Sequence, residues 1–338
     1  MTVPLLADDA RLAASDRRWI GVGRSSASAP KQEAVRDATG GTVVHMTAEM
    51  VRTADGRDLC FEQWGQPDGF PVFALHGTPG CRLNRIPDDA GVAATGARVI
   101  TYDRPGYGQS SRRRGRQVVD CVADVVTIAD ALGISQFAVT GGSGGGPHAL
   151  AVAARLPDRV IRARCFVGVA PYPAEGLDWL AGMDAENVKE FGWALGGEDV
   201  LAGELDRESA AMVTKVAADA SKALGDEWQL AEADRAVLAN PMVMAVMREA
   251  IPQCFAHGPW GWVDDDLAFV SPWGFDVSEI TVPVEVHYGS KDVLVPATHG
   301  EWLAAHVPNA TVVVNHEQGH MPTPEAALEM LRALVNND

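Results

Sequence analysis

The chain has 338 residues, 47% of them hydrophobic, enough for one large domain with an insertion or for two domains. Its formal net charge is −17, from 28 Lys and Arg against 45 Asp and Glu, which argues against nucleic acid or an anionic membrane as the main partner. Cys60, Cys81, Cys121, Cys165 and Cys254 form no CxxC pair, so neither a disulfide framework nor a zinc site is expected and a reducing cytoplasm fits.

Residues 1–44 carry weak periodicity and the polar run GRSSASAPKQ, and read as an extension outside the core. They have neither the basic start nor the apolar run of a secretory signal. No segment of the chain reaches the roughly eighteen apolar residues of a membrane span. From residue 45, HMTAEMVRT and DLCFEQWG alternate on either side of Asp55-Gly56, the pattern of a hairpin. PVFALH, ARVITY, QFAVT and IRARCFVGVA follow as short buried strands. Helical stretches lie between them near 83–95, 117–132 and 146–155. This alternation predicts an α/β protein with a mostly parallel sheet covered by helices on both faces.

Residues 171–275 interrupt it with helical patterns and no convincing strand. They hold six of the nine tryptophans, and 19 Asp and Glu against 6 Lys and Arg. Such an insertion reads as a cap or lid. The alternation then returns with VEVHYG, a helix over 297–306, TVVVN and a helix over 323–335. The organisation is therefore an extension (1–44), a core in two parts (45–170 and 276–338) and a helical cap (171–275).

The chemistry concentrates after strands. Gly141-Gly142-Ser143-Gly144-Gly145 fits G-x-S-x-G, a nucleophile elbow between the strand QFAVT and a helix. The turn brings the residues two before and two after the serine together, so Gly141 and Gly145 must be small. The helix start offers unpaired amides to a developing oxyanion. A serine needs a base and an orienting acid. Asp292, in GSKDVLVP, and His320, in HEQGHMPTPE, each follow a late strand. His316 is the rival base. The oxyanion hole is expected from the backbone amides of Thr78, in HGTPG, and of Gly144. His76 is expected to order its loop, His148 to pack, and Asp103 to pair with an arginine or cap loop amides. Asp264, Asp265 and Asp266 read as a solvated acidic loop without metal-ligand spacing. Arg112, Arg113, Arg114 and Arg116 read as a solvated basic loop.

HGTPG, YDRPGYGQS, GGSGGG, GSKDVLVP and QGH, in this order, resemble the α/β-hydrolase superfamily, and most of all its proline-iminopeptidase-like and small-molecule esterase branches. The resemblance implies an eight-stranded sheet, a helical cap inserted after the sixth strand, a triad of Ser143, Asp292 and His320, and no cofactor. Gly142 and Gly144 depart from the bulkier residues of many relatives, which either widens the acyl pocket or loosens the elbow. The leading expectation is a serine hydrolase cleaving a carboxylic ester of a small apolar or aromatic molecule through an acyl-enzyme. The alternatives are an aminopeptidase, whose cap would need carboxylates for a free ammonium group, and a non-hydrolytic ligand-binding protein or lyase on the same scaffold.

Overall fold

The computed structural model describes residues 18–20, 33–36, 42–45, 48–225 and 227–336. Most of the expected extension lies outside them. Its described parts are three short strands, β1 (Arg18–Ile20), β2 (Glu33–Arg36) and β3 (Thr42–His45), of which β2 and β3 pair antiparallel.

The hairpin forms as expected from β4 (Glu49–Arg52) and β5 (Asp58–Gly65), with Arg52 opposite Asp58 and Gly56 at φ +84° in the turn. The apolar runs become β6 (Phe70–Leu75), β7 (Ala97–Tyr102), β8 (Phe137–Gly142), β9 (Val160–Phe166), β10 (Val284–Gly289) and β11 (Ala310–Asn315). They join in one sheet of order β1-β4-β5-β7-β6-β8-β9-β10-β11. Only β5 runs antiparallel to its neighbours; the other pairings are parallel. The sheet has nine strands, one more than the resemblance implies, because β1 adds to the edge beside β4.

Successive residues of the central strands enter different cores, as the twofold period of a strand requires. Phe73, Ile100 and Val139 join one apolar cluster, with Val125 and Ile128 of α2 (Cys121–Ala131) and Leu150 of α3 (Gly145–Arg155). Val72, Val99 and Ala138 join the other, with Val92 of α1 (Asp89–Ala94). The helix expected over 83–95 is shorter than expected. The amides of Cys81 and Arg82 are taken by the side chains of Asn84 and Asp103, and Asp88 caps the helix by accepting from the Gly91 N–H at 2.8 Å.

Between β9 and β10 run α4 (Ala185–Gly196), α5 (Glu198–Ala218), α6 (Glu232–Leu238), α7 (Pro241–Cys254) and α8 (Trp260–Phe269), with no strand among the described residues. The last two helices are α9 (Ala297–His306) and α10 (Pro324–Asn336). Two expectations about charge are overturned here. Asp264, Asp265 and Asp266 form no solvated loop: they lie within α8 and are 2%, 0% and 0% exposed. Nor does the basic loop simply face solvent. Arg112 grips Asp264 with two hydrogen bonds of 2.9 Å and reaches Glu198, Arg114 also reaches Glu198, and Arg116 is buried against Asp265. The positive loop and the negative helix each supply the counter-charge that lets the other leave water.

Removing one partner leaves the other buried without compensation. Arg112→Ala should therefore lower stability by about 2 kcal/mol. Arg113→Ala, at a more exposed pair with Asp120, should change it by less than about 1 kcal/mol. Urea midpoints of the two variants, compared at equal slope, check this.

Candidate active site

Ser143 occupies the turn between β8 and α3 at φ +53°. A non-glycine residue held there is strained by about 1–3 kcal/mol. Two backbone bonds hold it: the Ser143 N–H donates to the Phe166 carbonyl at 2.9 Å, and the Gly146 N–H donates to the Ser143 carbonyl at 2.8 Å. A Cβ at Gly141 would fall on the Gly145 carbonyl oxygen, and one at Gly145 on that of Leu75, so both elbow positions require glycine. The flanking glycines differ. Gly142 has room, its nearest neighbour for a Cβ being Phe166 at 3.8 Å, whereas a Cβ at Gly144 would strike the Thr78 side chain. Gly144 thus admits a close approach of the Thr78 loop, and extra space exists only on the Gly142 side.

Asp292 follows β10 and His320 follows β11, on adjacent parallel strands, which brings the two loops together. The Leu294 and Val295 amides donate to Asp292 Oδ1 at 2.8 and 2.9 Å, leaving Oδ2 to accept from His320 Nδ1 at 2.7 Å. With Nδ1 protonated and donating to the carboxylate, Nε2 is the basic nitrogen. Burial alone would lower the His320 pKa. The charge and hydrogen bond of Asp292, with a smaller contribution from Asp234, outweigh it, and the net shift is upward. His316 is exposed and its carbonyl accepts from Ser290 Oγ, so it stays outside the cavity.

Ser143, His320, Thr78 and Gly144 share one cavity of about 580 Å³. Among the described residues neither the Thr78 nor the Gly144 amide has a backbone acceptor. The cap contributes mostly apolar wall, including Phe191, Leu224, Val246 and Met247. Of the six tryptophans between 171 and 275, only Trp228 and Trp262 line it; Trp179 and Trp273 are buried elsewhere. Asn187, Glu190 and Asp266 are the polar exceptions. Glu190 accepts from the Trp262 indole N–H at 2.8 Å, and among the described residues both carboxyl oxygens of the neighbouring Asp266 are buried without a hydrogen-bond partner. Burial pushes both carboxyls above their ordinary range, and the Glu190 charge pushes Asp266 further. Among the described residues no group of three or more His, Cys, Asp or Glu is arranged to hold a metal ion.

Asp103 accepts from the Arg82 and Gln109 amides and from the Arg82 guanidinium, both of the structural roles expected of it. His76 donates from Nδ1 to the Gly77 carbonyl at 2.7 Å and accepts the Arg104 N–H at Nε2, which orders the loop. His148 does more than pack: its Nδ1 donates to the Gly144 carbonyl at 2.8 Å.

The sequence reading missed two cap residues. Asp234 of α6, fully buried, accepts the amides of His320 and Met321 at 3.0 and 2.7 Å. A side chain on Gly319 would collide with that carboxylate, so the glycine before the histidine is the one trace of Asp234 in the sequence. Asp265 of α8 accepts from Thr78 Oγ1 at 2.6 Å, and nothing local marks it.

The upward shift of His320 has a sign that NMR can read. Its imidazole should titrate above the ordinary histidine value in the native chain. In Asp292→Asn, which removes the charge, it should titrate lower. Identical titrations would mean that Asp292 does not govern this ring.

The alpha/beta hydrolase fold family matches residues 71–327. A non-heme chloroperoxidase from Streptomyces lividans is 28% identical over 257 residues, covering 73% of this chain and 83% of the relative. A proline iminopeptidase from Xylella fastidiosa is 35% identical over 117 residues, but these are only 32% of this chain and 36% of the relative. The structure of a thermophilic esterase from Thermogutta terrifontis superposes with a TM-score of 0.60 at 21% identity, over 86% of this chain and 99% of that one. An identity that low speaks for the fold alone. The family match runs from β6 into α10 and takes in the elbow, the late-strand loops and the helices between β9 and β10; the chain belongs to the alpha/beta hydrolase fold family.

Proposed function

We propose that the protein is a serine hydrolase cleaving a carboxylic ester of a small apolar or aromatic substrate through an acyl-enzyme. The observation that carries this reading is the 2.7 Å hydrogen bond from His320 to Asp292 in the cavity that also holds Ser143 on its strained elbow. Ser143 Oγ attacks the ester carbonyl carbon while its proton passes to His320 Nε2. Asp292 stabilises the imidazolium and fixes its tautomer. The carbonyl oxygen takes the negative charge and meets the Thr78 and Gly144 amides. Collapse expels the alcohol, which leaves with the proton from His320. Water then attacks the acyl group with His320 as base and releases the acid, restoring Ser143. No cofactor enters the cycle. The apolar wall from the cap suits an apolar substrate.

In this reading residues 171–275 act as the cap over a core of 45–170 and 276–338, with 1–44 as an extension. No helix among the described residues is long and apolar enough to cross a membrane. Five buried cysteines, none of them in a disulfide, favour the cytoplasm as its place of work.

A second reading, an aminopeptidase, is favoured by one observation: the buried Glu190 and Asp266 carboxyls in the cavity wall. An ammonium group placed there would pair with these carboxylates and offset the cost of burying their charge. Glu190→Gln and Asp266→Asn separate the two readings.

Ser143→Ala and His320→Ala should each lower kcat on p-nitrophenyl esters by about 10³-fold or more, with Tm unchanged. His316→Ala should leave kcat within about twofold. The reverse pattern for the two histidines would reassign the base. If Glu190→Gln abolishes cleavage of amino-acid p-nitroanilides and spares esters, the aminopeptidase reading replaces this one.

A further inference from the structure

Asp265 sits where the cap meets the Thr78 half of the proposed oxyanion hole. Its Oδ2 accepts from Thr78 Oγ1 at 2.6 Å, from Arg104 at 2.6 Å and from the Tyr107 hydroxyl at 2.9 Å. Its Oδ1 accepts from Arg104 Nε at 3.3 Å and faces Arg116 at 2.6 Å. The side chains of Asp265 and Arg104 are completely buried, and that of Arg116 nearly so.

The arginine that Asp265 holds is the one that sets the Thr78 loop. Arg104 donates to the carbonyl of His76 and, at 3.0 Å, to the carbonyl of Gly77. The Gly77–Thr78 peptide is planar, so its C=O and N–H point in opposite directions. Holding the Gly77 carbonyl against Arg104 turns the Thr78 N–H the other way. The Thr78 hydroxyl, bound to Asp265, fixes the same residue from its other end. The Gly144 amide belongs to the Ser143–Gly144 peptide, whose carbonyl accepts from the Gly146 N–H at 2.8 Å, so the elbow itself sets that half of the hole. A Gly144 side chain would collide with Thr78, so the two halves also touch each other.

We propose that Asp265 is a positioning residue by which the cap aims the Thr78 amide of the oxyanion hole at the substrate carbonyl. The proposal rests on the serine-hydrolase reading above. It makes the cap part of the catalytic geometry as well as a wall of the cavity. A donor aimed away from the developing oxyanion loses much of the 10²–10³-fold that one oxyanion-hole hydrogen bond contributes, roughly.

The test reads the hole in the full-length protein without needing the natural substrate. A fluorophosphonate phosphonylates Ser143 through a transition state that uses the same amides, so its second-order rate reports their aim. Thr78→Val removes the hydroxyl and keeps the amide. It should slow phosphonylation and lower ester kcat by about 10–100-fold, with KM within about twofold. Thr78→Ser, which restores the hydroxyl, should recover both to within about threefold. Tyr107→Phe removes a hydrogen bond to the same Asp265 oxygen without touching the loop, and should stay within about twofold of the native rate. Asp265→Asn leaves two buried guanidinium groups short of charge and puts folding itself at risk, so the Thr78 pair carries the test. Native rates in Thr78→Val, or an equal fall in Tyr107→Phe, would overturn the positioning role and leave the hydrolase reading standing. A native Ser143 that takes no label and turns over no ester would overturn the hydrolase reading, and this role with it.

Discussion

A single buried carboxylate, Asp265, balances two guanidinium groups that arrive from the core, Arg104 and Arg116. Burying three charges is unfavourable unless each is paired and its hydrogen-bonding capacity used. Here the carboxylate has five neighbouring donors, from Thr78, Tyr107, Arg104 twice and Arg116. Lifting α8 from the core would leave two positive charges without a partner in a dry site. That constraint fastens the cap beside the Thr78 loop, where the proposed mechanism places the developing charge. The loops of the proposed acid and base are fastened to the cap as well. Asp234 of α6 holds the amides around His320, and Asn187 of α4 donates to the Leu294 carbonyl at 2.6 Å, beside the amides that Asp292 binds.

The core supplies the remaining geometry by ordinary parallel-sheet logic. Ser143, Asp292 and His320 each follow the C-terminal end of a strand, β8, β10 and β11, where loops of an open α/β sheet form sites. The glycines of the elbow serve packing as much as conformation. Gly141 and Gly145 touch, and Gly145 lies against Leu75 of the neighbouring strand. The strain at Ser143 is therefore imposed by backbone contacts on two sides.

The fold and the elbow were legible because their signals are local. Alternation in the hairpin and short apolar runs in the central sheet marked most strands to within about two residues, although HMTAEMVRT began before β4 and IRARCFVGVA ran past β9, and a lone serine among glycines between a strand and a helix marked the elbow. The meeting of Asp292 with His320 was legible from their places after late strands. The cap contacts were not. Arg104 and Asp265 lie 161 positions apart, and Thr78 and Asp265 lie 187 apart. Asp265 stands between two other aspartates whose side chains leave the helix in different directions, toward Arg112 and toward the cavity. A helix turns about 100° per residue, so three identical letters took three different tasks. The same distance effect hid the burial of the basic loop, whose partners lie in the cap.

The most direct test of the serine-hydrolase mechanism is to look for the covalent intermediate itself. The native protein would be mixed with a p-nitrophenyl ester, quenched with acid within milliseconds, digested and analysed by mass spectrometry. An acyl group is expected on the peptide carrying Ser143, formed in step with a burst of p-nitrophenol and absent from Ser143→Ala. Turnover with no acylated peptide, or an acyl group on another residue, would contradict the mechanism.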